Sequence, residues 1–196
     1  MTTSTTDALV SSRICHDLIS PVGAIGNGLE LLDALGSSTP ELALIAESVD
    51  SAKAKLQFFR ICFGQSTAES TVAARDVQAT ADAMLTTARQ SLVWQDLAPS
   101  SPRQQVKLLY LALLCVETAL PLGGVISVAQ TRDGWEIRAQ ATRLQQDDIW
   151  RVLDWDMPPE PITPARVQFV QLRDLARDMG LVPKIGFAGD VLTVSL

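Results

Sequence analysis

Apolar residues alternate at spacings of three and four along the first third of the chain, as they do in helices that pack along a seam. Over residues 9–35 the seam consists of Cys15, Leu18, Val22, Ile25, Leu29 and Leu32. Over residues 40–64 it consists of Leu42, Ile45, Val49, Ala52, Leu56, Phe59 and Phe63. Between them, Gly36 is a typical helix stop, Thr39 an N-cap and Pro40 a first helical residue. The pattern therefore predicts an antiparallel helical hairpin.

Four further apolar side chains lie off these seams and also favour burial: Leu31, Leu35, Leu44 and Phe58. A single hairpin cannot cover both of its apolar faces, whereas two hairpins paired as a four-helix bundle can. The sequence therefore predicts a homodimer. The alternative is that the hairpin packs against the C-terminal domain of its own chain.

After residue 64 the apolar periodicity changes, which predicts a second domain. Residues 65–75 are small and polar and are predicted to link a domain of residues 1–64 to one of residues 76–196. In the second domain, helices are predicted over 76–90, 102–120, 147–153 and 166–179. Strands are predicted over 92–94, 125–130, 135–141, 182–187 and 191–196. The expected fold class is α+β, with a hairpin that forms a dimeric four-helix bundle followed by an α/β sandwich.

Composition excludes several classes of function. The 196-residue chain has 22 acidic and 16 basic residues, a net charge of −6 and no basic run. It is therefore not expected to bind nucleic acid, because a phosphate backbone requires clustered Lys and Arg. The N-terminal residues lack an apolar signal-peptide core, and the most apolar stretch, residues 106–116, is shorter than the ~20 residues that span a membrane. We expect a cytoplasmic protein without a membrane partner.

Rare residue types limit the chemistry further. The three cysteines, Cys15, Cys62 and Cys115, all fall in apolar helical patterns and are expected to be reduced packing residues. His16 is the only histidine and Asn27 the only asparagine. Imidazole chemistry therefore has to use His16, and a zinc site of the usual Cys/His spacing is excluded.

His16 lies one residue after a seam position in the first predicted helix and is therefore expected to be exposed. A neutral imidazole attacks phosphorus well, and Asp17 can hold one ring nitrogen as N–H while the other keeps its lone pair. A lone helical histidine is more often an ordinary surface residue. However, the next residues include strong helix breakers: Pro21, Gly23, Gly26 and Gly28. They indicate a helix face shaped for close approach, either by another protein or by a second hairpin.

The string HDLISP resembles the H-box of two-component histidine kinases, whose pattern is His, Asp or Glu, Leu, any residue, Ser or Thr, then Pro. The matching residues are His16, Asp17, Leu18, Ser20 and Pro21. A more specific resemblance, to the ChpT-type histidine phosphotransferases of alphaproteobacteria, rests on the longer string HDLISPVGAIGNGLELL. It covers the whole chain and is strongest over residues 11–35. It implies that His16, assisted by Asp17, carries a phosphoryl group, and that the second domain is a degenerate kinase ATP-binding domain.

Three nucleotide-binding features of histidine kinases are missing from the second domain. The helix over residues 108–120 resembles the asparagine-bearing helix of kinases, but it has Cys115 near the place of the metal-binding asparagine. The adenine-binding D-x-G-x-G box is replaced by TRLQQDDIW, and the glycine-rich lid that cradles phosphate is replaced by PITPARVQF. The resemblance thus implies a phosphotransferase that has no cofactor of its own and does not autophosphorylate with ATP.

The same resemblance implies the partners. The donor is expected to be a phosphoaspartate on the receiver domain of a hybrid histidine kinase, and the acceptor the aspartate of a response regulator. The receiver supplies Mg²⁺ and most of the catalytic groups. Two rival functions remain open: a non-catalytic pseudokinase scaffold that binds receiver domains, and an unusual ATP-dependent sensor histidine kinase core.

Helical spacing predicts where a receiver docks. At +4, +7 and +11 from His16, on the same side of the helix, lie Ser20, Gly23 and Asn27. Ser12 and Arg13 lie one turn before the histidine, and Arg13 is expected to pair with receiver carboxylates. These five residues are the predicted docking face. The alternative is that they form an ordinary solvated surface.

Overall fold

A computed structural model of the protein describes residues 3–36, 39–65, 70–132, 134–153 and 162–196, with the backbone alone at residues 3–10 and 12. The chain divides into two compact units, Met1–Thr67 and Ala68–Leu196. In the described part of the chain, no helix combines the length and the apolar character that a membrane crossing requires.

The first unit is the predicted helical hairpin. Its helices are α1 (Thr3–Ala34), which begins earlier than predicted, and α2 (Pro40–Cys62). Gly36 has a φ of +73°, a left-handed conformation that glycine adopts without steric cost. The Thr39 hydroxyl accepts a hydrogen bond of 3.3 Å from the Leu42 amide and caps α2. The predicted helix stop, N-cap and first helical residue are therefore confirmed.

The predicted seam of α1 is divided between two sides of the helix. Cys15 is buried and Val22 and Leu29 are half-buried, and they lie on the side that faces α2. An exposed set, here called the apolar stripe, consists of Ile14, Leu18, Ile25 and Leu32. Positions three residues apart are rotated by about 60° around a helix, and one neighbouring helix covers only one of the two rows. On α2, Ile45 is exposed in the same way.

The off-seam residues of the hairpin also differ from one another. Phe58 is fully buried, so its expected burial is confirmed. Leu31, Leu35 and Leu44 are exposed in the single chain. The hairpin thus presents more large apolar side chains to solvent than an isolated chain would be expected to keep there.

The second unit is the predicted α/β sandwich. The strands of its main sheet are β2 (Gln90–Gln95), β4 (Gly124–Gln130), β5 (Trp135–Gln140), β6 (Lys184–Ala188) and β7 (Val191–Ser195). Their order in the sheet is β2-β4-β5-β7-β6, in which β2 and β4 are parallel and the other neighbours are antiparallel. The helices are α3 (Ala74–Leu85), α4 (Arg103–Thr118) and α5 (Val167–Asp178). The predicted α+β class is confirmed.

The core of this unit lies between the sheet and α4. Residues 106–116 of α4 are all buried, and the helix packs against α5 and β5. Along β5, buried Trp135, Ile137 and Ala139 alternate with exposed residues, the period of two that a half-covered strand shows. The Trp135 indole N–H donates a hydrogen bond of 3.0 Å to the Gln105 carbonyl oxygen, which satisfies its polar group inside the core.

The sequence prediction was wrong in two segments. The helix predicted over residues 76–90 ends at Leu85, and Gln90 already belongs to β2. The predicted linker, residues 65–75, contains strand β1 (Thr71–Ala73) and the start of α3. β1 pairs antiparallel with β3 (Ser100–Pro102) in a separate two-stranded sheet. Three-residue strands are too short to show a period of two, so neither strand was visible in the pattern.

The predicted short helix over 147–153 is a 3₁₀ helix, Asp148–Leu153. A second 3₁₀ helix, Pro164–Arg166, precedes α5 and includes the first residue of the helix predicted over 166–179.

Candidate active site

The single histidine projects from α1 into solvent. The His16 side chain is 84% exposed, while the neighbouring Cys15 is buried. Consecutive helical residues point about 100° apart, which explains this contrast. The predicted exposure of the imidazole is therefore confirmed, and a partner protein has access to the ring.

One carboxylate connects His16 to an arginine one turn away. The Arg13 Nε–H donates a hydrogen bond of 2.6 Å to Asp17 Oδ2. The other oxygen, Asp17 Oδ1, lies 3.2 Å from His16 Nδ1. With its proton on Nδ1, the imidazole donates to that oxygen and leaves the Nε2 lone pair free. Asp17 therefore curls back to the ring although it is the adjacent residue.

These contacts also set the charge of the carboxylate. The hydrogen bond from Arg13, and after it the one from His16, lowers the pKa of the Asp17 carboxyl. Asp17 thus stays ionised and remains an acceptor for the ring N–H. In the Nδ1–H tautomer the ring has one open nitrogen, Nε2, and a negative charge beside Nδ1, an arrangement that suits a nitrogen nucleophile.

The thiol beside the histidine has no comparable exposure. Burial raises the pKa of the Cys15 thiol, although the Arg60 guanidinium acts in the opposite direction. Cys15, Cys62 and Cys115 are all buried and lie outside any disulfide. The predicted role as reduced packing residues is confirmed for all three.

The predicted docking residues are found in different environments. The side chains of Ser20 and Asn27 are exposed. Gly23 is half-buried, but a Cβ added there would have no neighbour within 4 Å. Arg13 already has a partner within the chain, Asp17, which the sequence analysis did not predict. The side chain of Ser12 lies outside the described residues.

The structure adds one residue that the sequence analysis missed. Lys53 of α2 lies across Gly26 of α1, where a Cβ would overlap the lysine Nζ and Cε atoms. Its ammonium lies 3.6 Å from Asp50 Oδ1. Lys53 lines two adjoining grooves between the helices, of about 320 and 200 Å³, and Gly23 lines the smaller one. Gly26 was the signal in the sequence that could have indicated this contact, because a glycine on the side of a helix that faces another helix makes room for a large side chain.

Three residues of the segments predicted to replace nucleotide-binding motifs are buried in the second unit. Cys115 is fully buried in α4. Trp150 is the last residue of TRLQQDDIW, the segment predicted to replace the adenine-binding box. Its ring packs edge-on against Phe169, with centroids 5.1 Å apart, and against Phe187 at 5.6 Å. Phe169 is the last residue of PITPARVQF, the segment predicted to replace the lid, so each of the two segments contributes one ring to an aromatic cluster.

A helical hairpin with an exposed histidine, followed by an α/β sandwich, defines the class of the protein. The sequence model of the family described as histidine phosphotransferase C-terminal domain matches residues 74–186. The chain belongs to this family, and the resemblance to ChpT-type histidine phosphotransferases is confirmed.

Proteins similar to the chain include one known from its curated sequence and one of known structure. The chain is 43% identical over 122 residues to protein phosphotransferase ChpT of Brucella abortus (strain 2308). That alignment covers 62% of this chain and 58% of the length of the curated relative. A bacterial phosphotransferase solved at 1.7 Å has a similar structure, with a TM-score of 0.71 and 32% identity over 100% of this chain and 98% of that chain.

Proposed function

We propose that the chain is a histidine phosphotransferase of a two-component phosphorelay. His16 accepts a phosphoryl group from the phosphoaspartate of a receiver domain, such as that of a hybrid histidine kinase, and passes it to the aspartate of a response regulator. The observation that carries the proposal is the Asp17 carboxylate, 3.2 Å from Nδ1 of a histidine that is otherwise open to solvent. Family membership supports the same reaction class.

The geometry suggests how the transfer proceeds. The Nε2 lone pair of His16 attacks phosphorus, the N–P bond forms, and the P–O bond to the receiver aspartate breaks, which leaves a carboxylate on the receiver. The ring proton stays on Nδ1, where Asp17 stabilises the positive charge that the imidazole acquires. Transfer to the response regulator is the reverse sequence. Receiver-bound Mg²⁺ neutralises the phosphoryl oxygens, so the chain needs no cofactor of its own.

The receiver docks on the side of α1 that carries the histidine. Ser20, Gly23 and Asn27 follow His16 along this side, and none of them has a bulky side chain. Ser12 extends the face by one turn before the ring, and Arg13, which pairs with Asp17, borders it. The open space around Gly23 supports this placement, because a receiver has to bring its aspartate within a few ångströms of Nε2.

The apolar stripe binds a second copy of the chain. By helical spacing, Leu18 and Ile25 lie on the other side of α1 from Ser20 and Asn27, so dimerisation and receiver docking use different surfaces. Pairing two hairpins through these stripes produces a four-helix bundle and removes the leucines and isoleucines of the apolar stripe from water. The dimer is expected to act in the cytoplasm.

ATP is not the phosphoryl donor. The second unit is predicted to descend from a kinase ATP-binding domain, but its sequence lacks the asparagine and the glycine-rich segments that hold Mg²⁺ and phosphates. The aromatic cluster of Trp150, Phe169 and Phe187 supports the loss, because rings from both replaced segments are used for packing.

A radiolabel assay tests the proposed function. A receiver domain carrying labelled phosphoaspartate is mixed with the chain in the presence of Mg²⁺, and acid-labile label on the chain is measured. We expect label on the parent and none on His16→Gln, with the same circular dichroism and thermal unfolding for both. Receiver binding without label transfer would indicate the scaffold function instead. Label taken directly from ATP would indicate a kinase.

A further inference from the structure

Arg13 and Asp17 form an ion pair whose order of charges along the helix is not the one that best stabilises a helix. Pairs spaced i,i+4 stabilise helices best when the acidic residue comes first, and here the arginine comes first. Both side chains are largely exposed, where ion pairs contribute little to folding. The pair nevertheless aligns the carboxylate that contacts the only imidazole of the chain.

The position of Arg13 on the helix suits it for orienting that carboxylate. Around the helix axis, Arg13 lies between His16 and Asp17 and one turn towards the N-terminus. Helical side chains lean towards the N-terminus, so Asp17 reaches back over the preceding turn, where its carboxylate meets the Arg13 guanidinium. Because Oδ2 accepts from Arg13, the other oxygen, Oδ1, is directed towards Nδ1. Among the described side chains, Arg13 is the contact besides His16 that selects this rotamer of Asp17.

We propose that Arg13 is a positioning residue of the phosphotransfer site. It acts through Asp17, which it holds in the orientation that keeps the His16 proton on Nδ1 and Nε2 available for phosphorus. This inference rests on the proposed function and extends it, and it replaces the role predicted from the sequence, in which Arg13 pairs with receiver carboxylates. The two roles lead to different measurements.

The first measurement needs no receiver. Nitrogen-15 NMR of labelled histidine reports the tautomer of His16 directly, because no other imidazole contributes a signal. We expect the Nδ1–H form to dominate in the parent and to decrease in both Arg13→Gln and Asp17→Ala. Arg13→Lys keeps the charge but loses the Nε–H donor and should restore the Nδ1–H form only partly. Arg75→Gln is the matched control, because Arg75 is equally exposed and lies beside Asp76, far along the sequence.

The second measurement uses transfer kinetics. At saturating receiver, Arg13→Gln should lower the transfer rate constant about tenfold, or about 1.4 kcal/mol of barrier. The receiver concentration at half-maximal rate should stay unchanged. The double variant Arg13→Gln/Asp17→Ala should be no slower than Asp17→Ala alone, because Arg13 acts through Asp17.

The outcomes separate this inference from the proposed function. An unchanged tautomer ratio in folded Arg13→Gln would overturn the positioning role, whatever the transfer assay shows. Additive losses in the double variant, or a loss confined to the receiver concentration dependence, would also overturn it and support direct docking. A tautomer shift in a chain that never accepts label would leave the orientation of His16 established and refute the phosphotransferase function.

Discussion

Replacing Ile25 tests whether the apolar stripe is a dimer interface. The side chain is 52% exposed in the single chain, so about half of its area remains to be buried by a second copy. Complete burial of an isoleucine side chain stabilises a protein by about 1.5–3 kcal/mol. Each copy buries about half of this side chain on dimerisation, so the two copies together stabilise the dimer by about 1.5–3 kcal/mol. Ile25→Ala should therefore weaken dimerisation by about one to two orders of magnitude, at 1.4 kcal/mol per tenfold.

Ile25→Asp is the stronger perturbation. It removes the same apolar contact and places an aspartate from each copy in the bundle, where an unpaired charge costs several kcal/mol. We expect a monomer across the micromolar range, measured by light scattering and sedimentation equilibrium. Because Ile25 faces solvent within its own hairpin, the helix content of the monomer should persist in circular dichroism.

Asn27→Asp is the control for added charge. Asn27 is exposed and lies two residues further along α1, on the side of His16, so the same carboxylate there should leave the dimer intact. Either of two results would refute the reasoning: a parent chain that is monomeric at micromolar concentration, or an Ile25→Asp variant that dimerises as tightly as the parent.

Three further predictions follow from the site and the fold. Gly23→Arg should slow label transfer about tenfold, or about 1.4 kcal/mol of barrier. Its melting temperature should hardly change, because a Cβ at Gly23 has no neighbour within 4 Å; normal transfer by a folded dimer would place the docking face elsewhere. Calorimetry with Mg-ATP should show no saturable heat at millimolar nucleotide, and a micromolar dissociation constant would contradict the loss of the nucleotide site. Hydrogen bonds from its own amide and from Thr39 lower the pKa of the Glu41 carboxyl. The ionised carboxylate therefore stabilises the fold fully above the ordinary pKa of a glutamate. This stabilisation is lost as the pH falls through the lower pKa of the folded state. Glu41→Gln should therefore cost stability in urea unfolding at neutral pH but not in strong acid, and a difference that persists in acid would contradict this cause.

Local signals were sufficient to predict most of the elements. The turn between the helices was readable because Gly36, Thr39 and Pro40 each have a specific backbone or capping role. The strands of the main sheet were readable because buried and exposed residues alternate along them. The sequence did not show how many helices pack against α1 within one chain. The division of its seam into a covered row and the apolar stripe therefore became visible only in the structure.

The site was predicted less completely, for two physical reasons. The H-box identified His16 and Asp17, but the orientation of the carboxylate depends on Arg13, whose i,i+4 spacing fits both an internal pair and a partner contact. Lys53 reaches Gly26 from another helix. A single contact between two helices does not change the spacing of apolar residues in either of them, so the sequence pattern did not predict it. The strand pair β1 and β3 was missed for a different reason, because strands of three residues are too short to show a period of two.

The aromatic cluster of the second unit has an evolutionary consequence. Truncation of a buried Phe or Trp costs about 3–5 kcal/mol, a large part of the ~5–15 kcal/mol that stabilises a typical domain. On the proposed descent from a kinase ATP-binding domain, Phe169 and Trp150 lie in segments where glycines would have to return before a phosphate-binding loop could form again. Each such reversion would therefore remove a large part of the stability of the domain before any nucleotide affinity was regained. The proposed loss of nucleotide binding would then be difficult to reverse in evolution, because the rings that occupy these positions now stabilise the domain.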